Sequence, residues 1–306
     1  MNHIADIIEK AVSLGMKKIA VAAAQETSVL EAVVDAWKAG IAEPILVGDP
    51  ELIEKAQKEA NGGQGLDLSA FQIVPVKDLY ASAAKAVELV RKGEADFLMK
   101  GIIDTSLLLK AALNKETGIN AGRLASHVAV MEVPTYHKLF VVTDAALNIA
   151  PDLPALIDII ASAVKVANSL GVATPKVAML AAVEKVNPDK MPCTVTASIL
   201  TQMYRRGQIK GCIIDGPLAL DNAISAESAR IKKIVSDVAG DADILVAPDI
   251  EAGNILYKCL LDLAQAKGAG IVMGAAKPIV LTSRADTAET KLASIALAAL
   301  ASGVGK

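Results

Sequence analysis

Short, almost continuous apolar runs alternate along this chain with longer stretches whose apolar residues recur every three or four positions. The runs fall at 17–24 (KKIAVAAA), 43–48 (EPILVG), 95–101, 138–145, 176–183, 211–217, 242–249, 269–274 and 277–283. Runs of this length, rich in Val, Ile and Leu, read as strands covered on both faces. The stretches between them read as amphipathic helices, one near 78–92 and the clearest over 153–169. There Leu153, Leu156, Ile159, Ile160, Ala163 and Val164 share one face. Strand–helix alternation predicts an α/β protein with parallel-rich sheets and helices on both faces. Helix starts are marked by Asp49-Pro50, by Asp152 with Pro154, and by Asp286 with Glu289 at capping-box spacing. A long alanine-rich helix is expected over 287–303. No tandem repeat and no low-complexity linker is visible.

Composition sharpens this picture. Of 306 residues, 53% are hydrophobic but only 3% aromatic, so the core is aliphatic. The net charge of −3 argues against a nucleic-acid binder, which carries a basic patch or stripe. Three cysteines (Cys193, Cys212 and Cys259) form no CxxC pair, which suits a reducing, cytoplasmic setting. The opening residues read as an amphipathic helix rather than a signal peptide, and no apolar run reaches the length of a membrane span.

Candidate chemistry gathers where strands end, which is where open α/β sheets bind ligands. In MKGIIDTSLLLK, Gly101 is followed by Thr105 and Ser106 opening a helix, with Lys110 a turn later: either an anion-binding helix N-terminus or an ordinary turn with a solvated lysine. Arg123 and Ser126 precede an alternating strand, and arginine suits a phosphate site. His127 there reads more readily as a core histidine. In IIDGPLALDNA, Asp215-Gly216-Pro217 is expected to break a strand, and Asp221 and Asn222 follow. LVAPDIEAGN places Asp249, Glu251 and Asn254 at a strand-to-helix junction. PIVLTSRADTAET puts Ser283 and Arg284 before a helix N-terminus, where orphan N–H groups, a hydroxyl and a guanidinium would meet developing negative charge. The sequence lacks GxxxxGK[ST], GxGxxG after the first strand, HExxH and GxSxG, so P-loop phosphoryl transfer, a zinc-protease site and a serine-hydrolase elbow are unsupported.

Over nearly the whole chain these motifs resemble the phosphate acetyl/butyryl transferase family. The resemblance rests on EPILVGD, LMKG with Thr105, TDAALNIAPDL, PKVAMLAAVEKVNPDKMPCT, RRGQIKGCIIDGPLALDNAIS, GDADILVAPDIEAGNILYK and PIVLTSRADTAETKLASIALA. VEKVN, DGPLALDNA and SRAD favour the butyryl branch over the acetyl branch. The resemblance implies a two-domain fold like that of isocitrate and isopropylmalate dehydrogenases, with a cleft between domains. Residues 1–143 plus 285–306 would form one domain and 144–284 an inserted second. It implies a homodimer or higher homo-oligomer. It also implies no permanently bound cofactor and no metal, with coenzyme A and phosphate as substrates.

The implied reaction turns butanoyl-CoA and phosphate into butanoyl phosphate and CoA in a ternary complex. A phosphate acetyltransferase, or a branched-chain acyl variant, is the near alternative. Ser283 and Arg284 match the family's active-site pair. Arg123, Lys110 and Thr105 would hold phosphate, Lys110 standing where the acetyl branch has arginine. The acetyl branch's aspartate, seven residues after the serine, is replaced by Thr290, which makes the adjacent Glu289 the first candidate base and Asp286 the second. Asp215, Asp249 and Asn254 are candidate CoA or cleft residues. Two rivals of other classes are a hydroxyacid dehydrogenase on the same fold and a non-catalytic CoA-binding protein.

Overall fold

The computed structural model describes residues 1–282 and 286–303. Backbone proximity divides the chain into two compact units. A flanking unit comprises Ala5–Arg123 with Ala269–Lys306, and a central unit comprises Met1–Ile4 with Leu124–Gly268.

In chain order the first elements are α1 (Ile4–Ser13), β1 (Lys17–Ala22), α2 (Thr27–Lys38), β2 (Ala42–Gly48), α3 (Pro50–Gly63), β3 (Gln72–Pro75), α4 (Leu79–Arg91), β4 (Phe97–Lys100) and α5 (Thr105–Ala112). Next come β5 (Ser126–Glu132), β6 (Phe140–Thr143), α6 (Leu153–Ser169), β7 (Lys176–Leu180), α7 (Pro192–Arg205), β8 (Ile213–Leu218), α8 (Leu220–Ile224), α9 (Ala226–Ile231), β9 (Ile244–Val246) and α10 (Ile250–Asp262). The chain closes with β10 (Lys267–Met273), β11 (Ile279–Val280) and α11 (Ala288–Ser302).

The flanking unit orders its strands β3-β2-β1-β4-β11-β10. They run parallel except for the β10–β11 pair. Ile19, Phe97, Leu98, Met99 and Ile279 are fully buried, as expected of strands covered on both faces. Over α11 almost every residue from Ala293 to Ala301 is buried, and the helix packs on α2 and β11. A helix apolar all round must lie in a core.

The central unit orders its strands β5-β6-β9-β7-β8. β5 and β6 are antiparallel, and the rest pair in parallel. α6 packs on β5, β6 and β9 through Leu156, Ile159, Ile160 and Ala163. Because β6 pairs with both β5 and β9, proximity keeps this hairpin whole in the central unit, and it groups β10 and β11 with the flanking unit. The sequence reading places the divisions at 143/144 and 284/285, after β6 and after β11.

Caps at Asp49 and Asp152 are as expected: their side chains accept from Glu51 N–H and Ala155 N–H. Two local expectations are corrected. Strand β8 does not break at Gly216-Pro217 but runs through them. It lies at the edge of its sheet, where proline is tolerated because no neighbour needs its missing N–H. Helix α11 is capped by Thr287, whose Oγ1 accepts from Thr290 N–H, and not by Asp286. The short, exposed edge strand β3 was not foreseen, its apolar residues Ile73 and Val74 being flanked by Gln72 and Pro75. Among the described residues no helix is long and apolar enough to cross a membrane.

Candidate functional site

In the flanking unit the strand order reverses direction between β1 and β4, a topological switch point of the kind where α/β sheets leave a crevice at strand C-termini. The turn after β4 is pinned there. Gly101 N–H donates to Ala22 O at 2.8 Å and Ile102 N–H to Ala23 O at 2.8 Å. A Cβ on Gly101 would lie 2.0 Å from the Ala23 carbonyl oxygen, so no side chain fits. Ala23 holds φ at +54°, an uncommon value for a residue with a Cβ. The Lys100 ammonium donates to Gly101 O (3.2 Å) and Ile103 O (3.3 Å), bracing the same turn. Thr105 then opens α5, and Asp104 at the N-cap accepts no N–H through its side chain. Helix N–H groups there point outward beside the partial positive end of the dipole. Lys110 is exposed, a turn further along α5.

β11 lies parallel to β4 with Ile279 opposite Leu98 and Val280 opposite Met99. The residues that directly follow the two strands, Gly101 and Leu281–Thr282, therefore leave the sheet side by side. Ser283 and Arg284 lie outside the described residues. Around them, Thr282 is buried, Asp286 is half-buried, and Glu289 is exposed in the first turn of α11. Lys291, 3% exposed, donates from Nζ to the Asp286 carbonyl at 3.0 Å and so fixes the chain just after the Ser-Arg pair. Neither Lys100 nor Lys291 was singled out from the sequence. The usable signal was a lysine on an otherwise apolar strand or helix face. Arg123 stands on a different loop, exposed, after Gly122 at φ +70°. That loop is anchored by Ala276 N–H donating to Ile119 O.

The central unit holds the remaining candidates. Asp215 lies on edge strand β8 beside Tyr204, Arg205 and Ser236. Asp249 caps α10, accepting from Ala252 N–H at 2.8 Å. Asn254 donates from Nδ2 to Ala145 O at 2.9 Å. Asn222, fully buried, donates to the Glu184 carboxylate, which Lys232 also meets at 2.5 Å. This joins the VEKVN and DGPLALDNA motifs. Lys232, foremost, and Asn222 hold Glu184 below its usual range against a burial effect of opposite sign.

A cavity of about 200 Å³ opens at the C-terminal ends of β7 and β9, lined by Leu156, Met179, Cys193, Ala197, Val246 and Pro248. Such a lining accepts an apolar group. Cys193 is half-buried, Cys259 is exposed, and Cys212 is buried, which pushes its thiol up to about 11. A nucleophilic thiolate at Cys212 is therefore disfavoured. Among the described residues no three His, Cys, Asp or Glu side chains are grouped to hold a metal ion.

A family model described as phosphate acetyl/butaryl transferase matches residues 3–83 and 76–299. A phosphate butyryltransferase of Clostridium acetobutylicum is 50% identical over 299 residues, covering 97% of this chain and 97% of that protein. A phosphate acetyltransferase of Thermotoga maritima is 48% identical, over 93% of this chain and 95% of its own. Among solved structures, a branched-chain phosphotransacylase from Enterococcus faecalis V583 is similar with a TM-score of 0.82 at 37% identity, covering 94% of this chain and 99% of that one.

Proposed function

The chain belongs to the phosphate acetyl/butyryl transferase family and is an acyltransferase, and from that premise we propose that it transfers a butanoyl group reversibly between coenzyme A and inorganic phosphate. The observation that carries this reading is 50% identity to a phosphate butyryltransferase along 97% of both chains. The acetyl and branched-chain acyl groups named for other relatives define the alternative substrates.

In the forward direction a phosphate oxygen attacks the thioester carbonyl carbon. The new C–O bond forms, the C–S bond breaks, and the proton lost by phosphate is returned to the CoA thiolate. Phosphate must be held with one oxygen aimed at the carbonyl. We assign that task to Arg123, Lys110 and Thr105. The pinned turn 101–105 with its helix N-terminus supports the assignment of Thr105. Arg284 would stabilise the charge that develops on the carbonyl oxygen, and Ser283 would donate to that oxygen or to the leaving sulfur. In reverse the CoA thiol, with a reference pKa of about 8.5, must lose its proton, and Glu289 is the proposed base. The parallel pairing of β4 with β11, whose ends lead toward 101–105 and toward Ser283, supports grouping these residues.

Asp215, Asp249 and Asn254 are proposed to serve the CoA side, directly or by shaping it. The two units are read as the two domains of an isocitrate/isopropylmalate dehydrogenase-like fold with the reaction in a cleft. The central unit's position within the chain of the other supports that layout. Exposed Ile231, Val235, Ile255 and Leu263 support a homo-oligomer, and three free cysteines suit the cytoplasm.

Thiol release from butanoyl-CoA, followed with a thiol reagent, tests the function. It is expected only when phosphate is present. No phosphate-dependent release with acetyl-, propionyl-, butanoyl- or branched acyl-CoA would reject the function. A chain-length series assigns the acyl group by the largest kcat/KM.

A further inference from the structure

The loop that carries Arg123 is held from both sides by side chains outside the proposed reaction centre. On its N-terminal side, Asn120 donates from Nδ2 to Leu113 O (2.7 Å) and accepts Gly122 N–H (2.6 Å). On its C-terminal side, Asp158 of α6 accepts the N–H of Leu124, the next residue, at 2.9 Å. Asp144, 3% exposed at the end of β6, accepts from His127 N–H at 3.2 Å through one carboxylate oxygen. That oxygen also accepts from Asn148 Nδ2 at 2.5 Å, and the same amide donates to Ala125 O at 3.0 Å. The other oxygen of Asp144 takes the N–H groups of Ala146 (2.8 Å) and Leu147 (3.0 Å). Thr143 Oγ1 completes the seam on His127 O at 2.8 Å. A carboxylate this deep needs such donors, because a buried charge is costly unless it is hydrogen-bonded. Here the named donors are neutral amides of its own turn and of the start of β5, and Asn148 carries the contact on to Ala125 in the loop after Arg123.

We propose that Asp144, assisted by Asn148 and Asp158, is a positioning residue that sets the placement of Arg123 for phosphate. The inference rests on the proposed function, and on Arg123 holding phosphate within it. The reason is geometric: a misplacement of about 1 Å in a positioning group costs as much as 100-fold in rate. Asp144→Asn keeps the shape and retains one carbonyl oxygen for Ala146 and Leu147. Its new NH₂, however, faces the N–H of His127 and the amide of Asn148, donor against donor. The break is thus confined to the side facing β5 and Asn148.

The experiment measures KM for phosphate, KM for butanoyl-CoA and kcat for wild type, Arg123→Ala, Asp144→Asn and Asp158→Ala, with thermal melting as the fold control. Asp144→Asn is expected to raise KM for phosphate about tenfold and Asp158→Ala about threefold, in the direction of Arg123→Ala, with KM for butanoyl-CoA within about twofold of wild type. A merely structural role would lower the melting temperature and the active fraction while leaving both KM values alone. That result, or an equal rise in both, overturns the proposal, as does an unchanged phosphate KM in Arg123→Ala. If Asp144→Asn does not fold, the Asp158→Ala shift decides alone. Absence of phosphate-dependent release by the wild type would instead overturn the functional reading.

Discussion

At the C-terminal ends of the strands, polar groups are committed to backbone; at the N-terminal ends of the central unit's strands, charges are committed to one another. The turn after β4 is fixed by Gly101 crowding the Ala22 and Ala23 carbonyls, and the turn after β6 by Asp144 gathering neutral N–H groups. At the opposite end of the central sheet, Lys138 and Lys176 begin the β6 and β7 segments and face Asp241 and Asp243 just before β9. Lys138 meets Asp243 at 2.6 Å and Asp241 at 2.8 Å; Lys176 meets Asp241 at 2.7 Å. His137 adds a contact to Asp241 at 2.9 Å. The lesson is that charge density alone does not mark a site. A cluster that neutralises itself ties strand ends together, whereas the exposed Arg123 and Lys110 lie outside such a cluster, as the proposed phosphate role requires.

Substitutions can break this contrast, and the largest effect is expected at Gly101. Gly101→Ala places a methyl 2.0 Å from a backbone oxygen, and it should cost about 4 kcal/mol of stability together with activity. A variant with normal melting and turnover would show that the turn is not fixed by crowding. Next comes Asp243→Ala. It strips one of two carboxylate partners from Lys138, 19% exposed, which keeps Asp241, and it removes the acceptor of Lys176 N–H at 2.7 Å. About 3 kcal/mol should be lost, with kcat and both KM values unchanged in the folded enzyme. A raised phosphate KM in that variant would erase the distinction between the two ends. Thr287→Ala removes the cap of α11 and should cost about 1 kcal/mol by denaturant unfolding. A loss of turnover far beyond that destabilisation would mean that the cap serves the reaction as well as the helix.

The smallest effect is a pH dependence at the N-terminal end. Burial works to raise Asp241, but Lys138 and Lys176 outweigh it and hold the carboxyl well below the usual range. A depressed folded-state value contributes stability above the unfolded carboxylate pKa of about 3.9 and loses it as pH falls through the folded value. The melting-temperature difference between wild type and Asp241→Asn should therefore be complete at pH 7 and shrink below about pH 4. A difference that stays constant across that range would remove the ion pairs as its cause.

Much of this molecule was legible along the chain because its signals are local. Leu156, Ile159 and Ile160 state the face of α6, and Asp49 and Asp152 announce their caps within a few residues. The run around Phe97–Lys100 shows its double-sided burial in composition alone. Antiparallel pairing of β5 with β6 and of β10 with β11 was not legible, because an apolar strand carries no mark of its neighbour's direction. The same holds for Pro217, whose tolerance depends on β8 being an edge. Of the candidate site, the sequence could name Thr105, Lys110, Arg123, Asp215, Asp249 and Asn254. It could not show that Asp249 caps a helix or that Asn254 holds the Ala145 carbonyl.

By itself the sequence determined the α/β class, most strands and helices, and the family, since periodicity, capping and long motifs are written in neighbouring residues. Only the tertiary structure decided that Gly101 must lack a side chain, that Lys291 is buried on Asp286, and that Asp144 holds the start of β5 at His127. These facts depend on which segments meet, and Asp144 and His127 are 17 residues apart along the chain. Their meeting is set by the packing of strands and helices around them, which no single stretch of sequence encodes.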